Sequence, residues 1–139
     1  MAGFAEVSDV LWRERELLDV LLFKLDQERL LLSEGGAHAV RWLARASHEI
    51  DLVLEDLRLA DLTRAIEVDA LAADLGIDPA PTLARLVEAA PAPWDDLFAA
   101  HRAAFEVLVA QVRAAADDNR HRLEAAAVEV KRSLLGSDR

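Results

Sequence analysis

The chain has no cysteine and no tyrosine, and its 139 residues include only five glycines and four prolines. Without cysteine there is no disulfide, no thiolate zinc site and no cysteine nucleophile. Aromatic residues make up only 5%, and strands draw mainly on aromatic and β-branched residues, so a sheet has little to build from. No run approaches 18 uncharged apolar residues, which excludes a helix that spans a membrane. Residues 1–9 lack the basic region and apolar run of a secretory leader, so cytosolic residence is expected. Basic residues are outnumbered, 16 against 26 acidic, leaving a formal charge of −10. The arginines are scattered among acids, so nucleic acid and anionic membrane surfaces would repel the chain.

Alanine occurs 27 times and leucine 24 times, and both have high helix propensity. Apolar residues reach 53% in a 15.3 kDa chain, enough for one core and one domain over 1–139. The reading is all-α. Gly35-Gly36, Gly76 and the four prolines at 79, 81, 91 and 93 punctuate it into helices over 6–33, 37–75, 79–89 and 93–134. Ser8 can cap the first unless that helix starts earlier, and Gly76 is expected to close the second in a left-handed conformation. Asp78 ahead of Pro79 suits the start of the third, and Asp95 and Asp96 suit the first turn of the fourth.

The long segments carry apolar stripes. In the first these are Leu11, Leu18, Leu21, Leu22, Leu25 and Leu32, with sevenfold spacing as in a coiled coil. The second reads Leu43, Ala46, Ile50, Val53, Leu57 and Ala60, then drifts onto Leu59, Leu62, Ile66 and Ala70. The fourth runs Phe98, His101, Phe105, Leu108, Val112, Ala115 and Asn119, then Leu123, Ala127, Val130 and Leu134, with a stutter at Asn119. None of these stripes can be hidden by its own helix, so an elongated antiparallel bundle of three long helices and one short connector is expected. At 1.5 Å per residue the long helices measure about 42, 58 and 63 Å. The mismatch predicts that the C-terminal turns of the fourth project past the first.

Catalytic and metal chemistry finds no footing. The four histidines are His38, His48, His101 and His121, and the only ligand-like spacing is Asp118-x-x-His121, with no counterpart on another helix. Asp117-Asp118-Asn119 lacks the glycine and terminal glutamate of a calcium loop. No serine sits at a nucleophile elbow and no glycine-rich phosphate loop exists. His101 lies on the apolar stripe, where a satisfied polar residue at a helix seam is expected. The chain reads as a non-enzyme with no cofactor.

Two apolar surfaces exceed what the core needs. Trp12, Phe23 and Leu30 align within about 20° on the first helix, away from its leucine stripe. They serve either a second buried side of that helix or a partner groove or dimer seam. From Asn119 onward the stripe Leu123, Ala127, Val130 and Leu134 is flanked by Arg120, Arg122, Glu124, Glu129, Lys131 and Arg132. It is either a bundle end or a helix that recognises another protein. Trp42 and Trp94 stand at helix junctions and are read as packing residues.

The sequence resembles the FlgN-type flagellar export chaperones, in particular an actinobacterial-looking branch. The likeness rests on Leu11-Trp12-Arg13-Glu14-Arg15-Glu16-Leu17-Leu18 followed by Leu21-Leu22-Phe23-Lys24-Leu25, on Arg41-Trp42-Leu43-Ala44-Arg45-Ala46 leading to Glu49-Ile50 and Val53-Leu54-Glu55, on Ala90-Pro91-Ala92-Pro93-Trp94, and on Asn119-Arg120-His121-Arg122-Leu123. It spans nearly the whole chain, and its weight lies in order and spacing. It implies a small cytosolic helical protein that binds the hook–filament junction proteins FlgK and FlgL, keeps them soluble and delivers them to the flagellar type III export apparatus. Family substrate recognition lies in the C-terminal helical region, which here places it within 119–135, on Asn119, Leu123, Ala127, Val130 and Leu134. Members also engage the export-gate component FlhA, in some cases through a C-terminal tyrosine, and this chain has none. The rival reading is a helical adaptor or obligate homodimer closed by Trp12, Phe23 and Leu30.

Overall fold

A computed structural model describes residues 3–136. Four helices follow one another: α1 Phe4–Glu34, α2 Gly36–Leu75, α3 Leu83–Ala89 and α4 Trp94–Gly136. Three are long and one is short, an all-α bundle as the punctuation predicts. α2 turns back antiparallel to α1 after Gly35. α4 then returns alongside α1 in the same direction, so that His101 meets Ser8 while Asn119 meets Leu25 and Glu28. α1 therefore packs on both α2 and α4, and α3 packs on α4.

The α1 seam is a regular three–four alternation. Val7, Leu11, Glu14, Leu21, Leu25 and Glu28 are all buried, with Leu17 beside the remaining step and Leu18 only half-buried. At the foot of the bundle, Val7 and Leu11 meet Val68 and Leu71 of α2, Leu86 and Ala90 at α3, and Phe98 of α4. Phe4 stacks on Trp94 with ring centroids 5.6 Å apart, which seals this end. Trp94 is thus the junction-packing residue expected. A second cluster higher up joins Leu21 and Leu25 to Ile50 and Val53, with Leu57, Val112 and Ala115 packed around it.

Helix ends follow local chemistry, and several depart from expectation. Gly76 closes α2 in the left-handed conformation, φ 68°. Its N–H donates to Ala73 O and the Ile77 N–H to Ala72 O, at 3.2 and 3.0 Å. These two bonds satisfy carbonyls that the helix leaves open. Ser8 does not cap α1, which begins at Phe4 with no side-chain cap. Asp78 does not start α3 either. Ala80, just before Pro81, takes φ 55°, a left-handed backbone uncommon for alanine, with its N–H donating to Asp69 Oδ1. The helix starts only at Leu83, capped by Thr82 Oγ1, which accepts from the Arg85 N–H at 3.1 Å.

The largest correction concerns α2. Its buried face does not drift at Ala60 but continues through Val68, Leu71 and Ala72, with Arg64 half-buried between. Leu59, Leu62, Ile66 and Ala70 are exposed. The apolar count of the two faces is similar, and periodicity alone could not rank them. What decides is the α1 seam, whose Glu14 takes Arg64 as a partner at 2.8 Å.

Candidate protein-binding site

Three polar layers set the alignment from which the end of α4 emerges. The first joins Ser8, Arg15 and His101. The Arg15 guanidinium can only donate, so the His101 Nδ1, 3.2 Å away, accepts. The proton then sits on Nε2, which donates to Ser8 Oγ at 3.2 Å. Burial, with Arg15 as a second cause, holds the His101 pKa below its ordinary value, so the ring is neutral. A nitrogen that donates to a hydroxyl cannot deprotonate it, and this serine–histidine pair is structural. Trp12 packs edge-on against the same ring at 5.1 Å and carries the Arg15 guanidinium over its face at 4.0 Å.

In the second layer Glu14 faces Arg64, which also pairs with Asp61. Burial raises the Glu14 pKa, opposed by Arg64 and reinforced by Asp61. The third layer ties all three long helices together. Glu28 of α1 accepts from Ser47 of α2 and from the Asn119 amide of α4, each at 2.9 Å, while the same Asn119 amide donates to Leu25 O at 2.9 Å. Glu14 and Glu28 occupy core steps that no apolar pattern reveals. Their spacing of two heptads was the available signal.

Asn119 is the last buried residue of α4. Its side chain is committed to α1 and is covered in the bundle, so it positions the segment that follows rather than presenting itself. No residue from Arg120 to Gly136 is buried. Arg122 still reaches Ser33 Oγ at the end of α1, at 3.2 Å. Beyond that point the register that joins His101 to Ser8 and Asn119 to Leu25 carries roughly ten further residues past Glu34, about 15 Å of helix. Leu123 is more than one third exposed, Val130 59% and Leu134 70%, and Ala127 is exposed as well. Ala126, Ala127, Val130, Lys131, Leu134 and Leu135 line one shallow apolar depression. Leu135 and Val128, which the stripe omits, add a second apolar row a heptad apart.

Trp12, Phe23 and Leu30 are all about half exposed. The structure divides them. Trp12 lines a groove between α1 and α4 with Ala103, Ala104 and Val107, whereas Leu30 lines one between α1 and α2 with Trp42 and Ala46. The gradual winding of the helices about one another turns one wheel position toward two different neighbours.

The described residues contain no helix long and apolar enough to cross a membrane and no cluster of side chains suited to a metal ion. The FlgN protein family model matches residues 1–135. The chain belongs to the FlgN family. No curated protein and no solved structure matches it. FlgN proteins are non-catalytic and chaperone-like.

Proposed function

We propose that this FlgN protein is a cytosolic flagellar type III export chaperone of the actinobacterial-like branch that binds the hook-associated proteins FlgK and FlgL through 119–135 of α4. The observation that supports this is the end of burial at Asn119 on a helix that continues to Gly136 with an exposed apolar stripe between charged flanks. Leu123, Ala127, Val130 and Leu134 extend the line of the bundle face of α4, so a partner helix continues the packing that α1 supplies lower down. Junction proteins polymerise through helical terminal segments. A segment folded onto this stripe gives up its ability to polymerise, and the ordering entropy keeps the complex weak enough for release. Delivery then requires the export gate. FlhA is the proposed acceptor, by contacts other than the missing tyrosine.

The test is the double substitution Leu123→Asp/Val130→Asp, assayed by titration against a FlgK C-terminal segment. Burying two carboxylates in an apolar contact costs about 2–6 kcal/mol, so binding should fall at least thirtyfold while far-ultraviolet circular dichroism stays unchanged. Unaltered affinity would remove the tail from the interface. Loss of fold would show these side chains to be core.

A further inference from the structure

The outer face of α2 is the apolar surface that neither the bundle nor the α4 tail accounts for. Leu52, Leu59, Leu62 and Ile66 are between 53% and 69% exposed. At 100° per residue they fall within about 80° of one another and roughly 160° from the buried face of α2. Their spacing is that of a helix-recognition stripe over about four turns, with Glu55 falling in the same sector between Leu52 and Leu59. α2 is therefore apolar on two opposite sides, and only one is used within the chain.

Charge identifies what would cover the other side. One flank carries Asp56, Glu67 and Asp74, none with an ion-pair partner among the described residues. The opposite flank carries Asp51, Asp69 and Arg58, whose guanidinium is taken by Glu55. Asp9 and Arg13 of α1 border the groove beside Leu59 and cancel each other. A second copy is a poor occupant. Laid antiparallel it would bring the Asp56–Glu67–Asp74 flank against itself, and laid parallel it would bring it against Asp51 and Asp69, acid on acid in either case. The chain's net charge of −10 works in the same direction.

We propose that the outer face of α2 docks an amphipathic helix of another protein that has leucine-like anchors at helical spacing and a lysine- or arginine-rich rim. This surface is distinct from the α4 tail. α2 starts at the end of the bundle from which the tail emerges, and Leu52 lies 16 residues further along it, about 24 Å. Both surfaces can thus be occupied together, and the loss of one leaves the other measurable.

The probe is an 18-residue helical peptide with leucine at a and d positions and lysine at e and g, compared with the same peptide carrying glutamate at e and g. Fluorescence anisotropy gives affinity, and backbone amide shifts give location. The lysine peptide should bind with shifts confined to 51–74, weaken with added salt, and weaken at least tenfold on Leu59→Ala/Ile66→Ala. Alanine preserves helix propensity at these exposed sites, so the fold is retained. Asp56→Lys/Glu67→Lys/Asp74→Lys should reverse the preference toward the glutamate peptide. Equal binding of the lysine peptide to wild type and Leu59→Ala/Ile66→Ala would overturn the proposal, as would shifts on 120–135. Self-association of the wild-type chain that disappears in Leu59→Ala/Ile66→Ala would assign the face to a second copy instead.

Discussion

His101 occupies a step of the α4 stripe where Phe98 and Phe105 have neighbouring places, yet it is 2% exposed. Its ring is neutral because burial disfavours the charged form, and protonation would also abolish the acceptor that Arg15 uses and set two cations together. The unfolded chain suffers neither penalty and binds the proton near the ordinary histidine pKa of about 6.5. With the folded pKa below this, stability is full above that value and declines as pH falls beneath it. Urea midpoints should therefore drop between pH 7.5 and 5.5, and His101→Phe should flatten that slope. An equal slope in His101→Phe would trace the effect to other groups. Asn119 makes a different commitment. Asn119→Ala removes both donors and leaves Glu28 with Ser47 as its remaining partner, at a cost of about 1–3 kcal/mol. Asn119→Asp should be worse, because it sets a carboxylate against Glu28. A denaturation midpoint unchanged in both would show that the layer contributes nothing.

The helices show which features a sequence can express. Leu11, Leu21 and Leu25 of the α1 stripe and the breaks at Gly35 and Gly76 were legible because spacing and backbone chemistry are local. The sevenfold pattern overrated Leu18, Leu22 and Leu32, which are half-buried, and passed over the buried Val7 and Leu17. Glu14 and Glu28 were not legible, since a charged residue joins a core only when another helix brings Arg64, Ser47 or Asn119 to it. The drift assigned to α2 failed for the complementary reason. Leu59, Leu62 and Ile66 form a face as regular as the buried one, and tertiary pairing alone chose between them. In α4 the stutter at Asn119 was visible, although the burial of that residue against Leu25 and Glu28 was not. The layers also carry a prediction about what such polar steps contribute. Glu14→Leu fills its layer with hydrocarbon while Arg64 keeps Asp61, so stability should hold or rise. A loss above about 1 kcal/mol would mean that the Glu14–Arg64 pair adds stability as well as register. Amide exchange should separate the two parts of α4, with strong protection through Val112, weak protection beyond Arg122, and recovery of the latter when a FlgK segment is bound. Uniform protection to Leu134 in the free protein would defeat that division.

At the scale of the whole molecule, shape and charge act together. α4 has 43 residues and is about 65 Å long, whereas a compact domain of this chain length has a radius of gyration near 14 Å. A rod of that length has one of about 19 Å, so solution scattering of the monomer should give roughly 20 Å. The projecting tail accounts for part of the excess, because the three helices overlap only along α1. A value of about 17 Å, that of a rod the length of the 40-residue α2, would mean that the tail folds back and is not offered to a partner. The same measurement addresses self-association. The net charge of −10 keeps copies apart at low ionic strength, and at 1 M salt the screening length falls to about 3 Å, so that protection is removed. If Trp12, Phe23 and Leu30 formed the seam of an obligate dimer, scattering mass would already be doubled at low salt and would remain so. Grooves that face different neighbours, Trp12 toward α4 and Leu30 toward α2, do not present one continuous strip to a second copy. Mass should accordingly stay that of one chain at both salt concentrations, and a doubled mass at either would favour the homodimeric adaptor over the export chaperone.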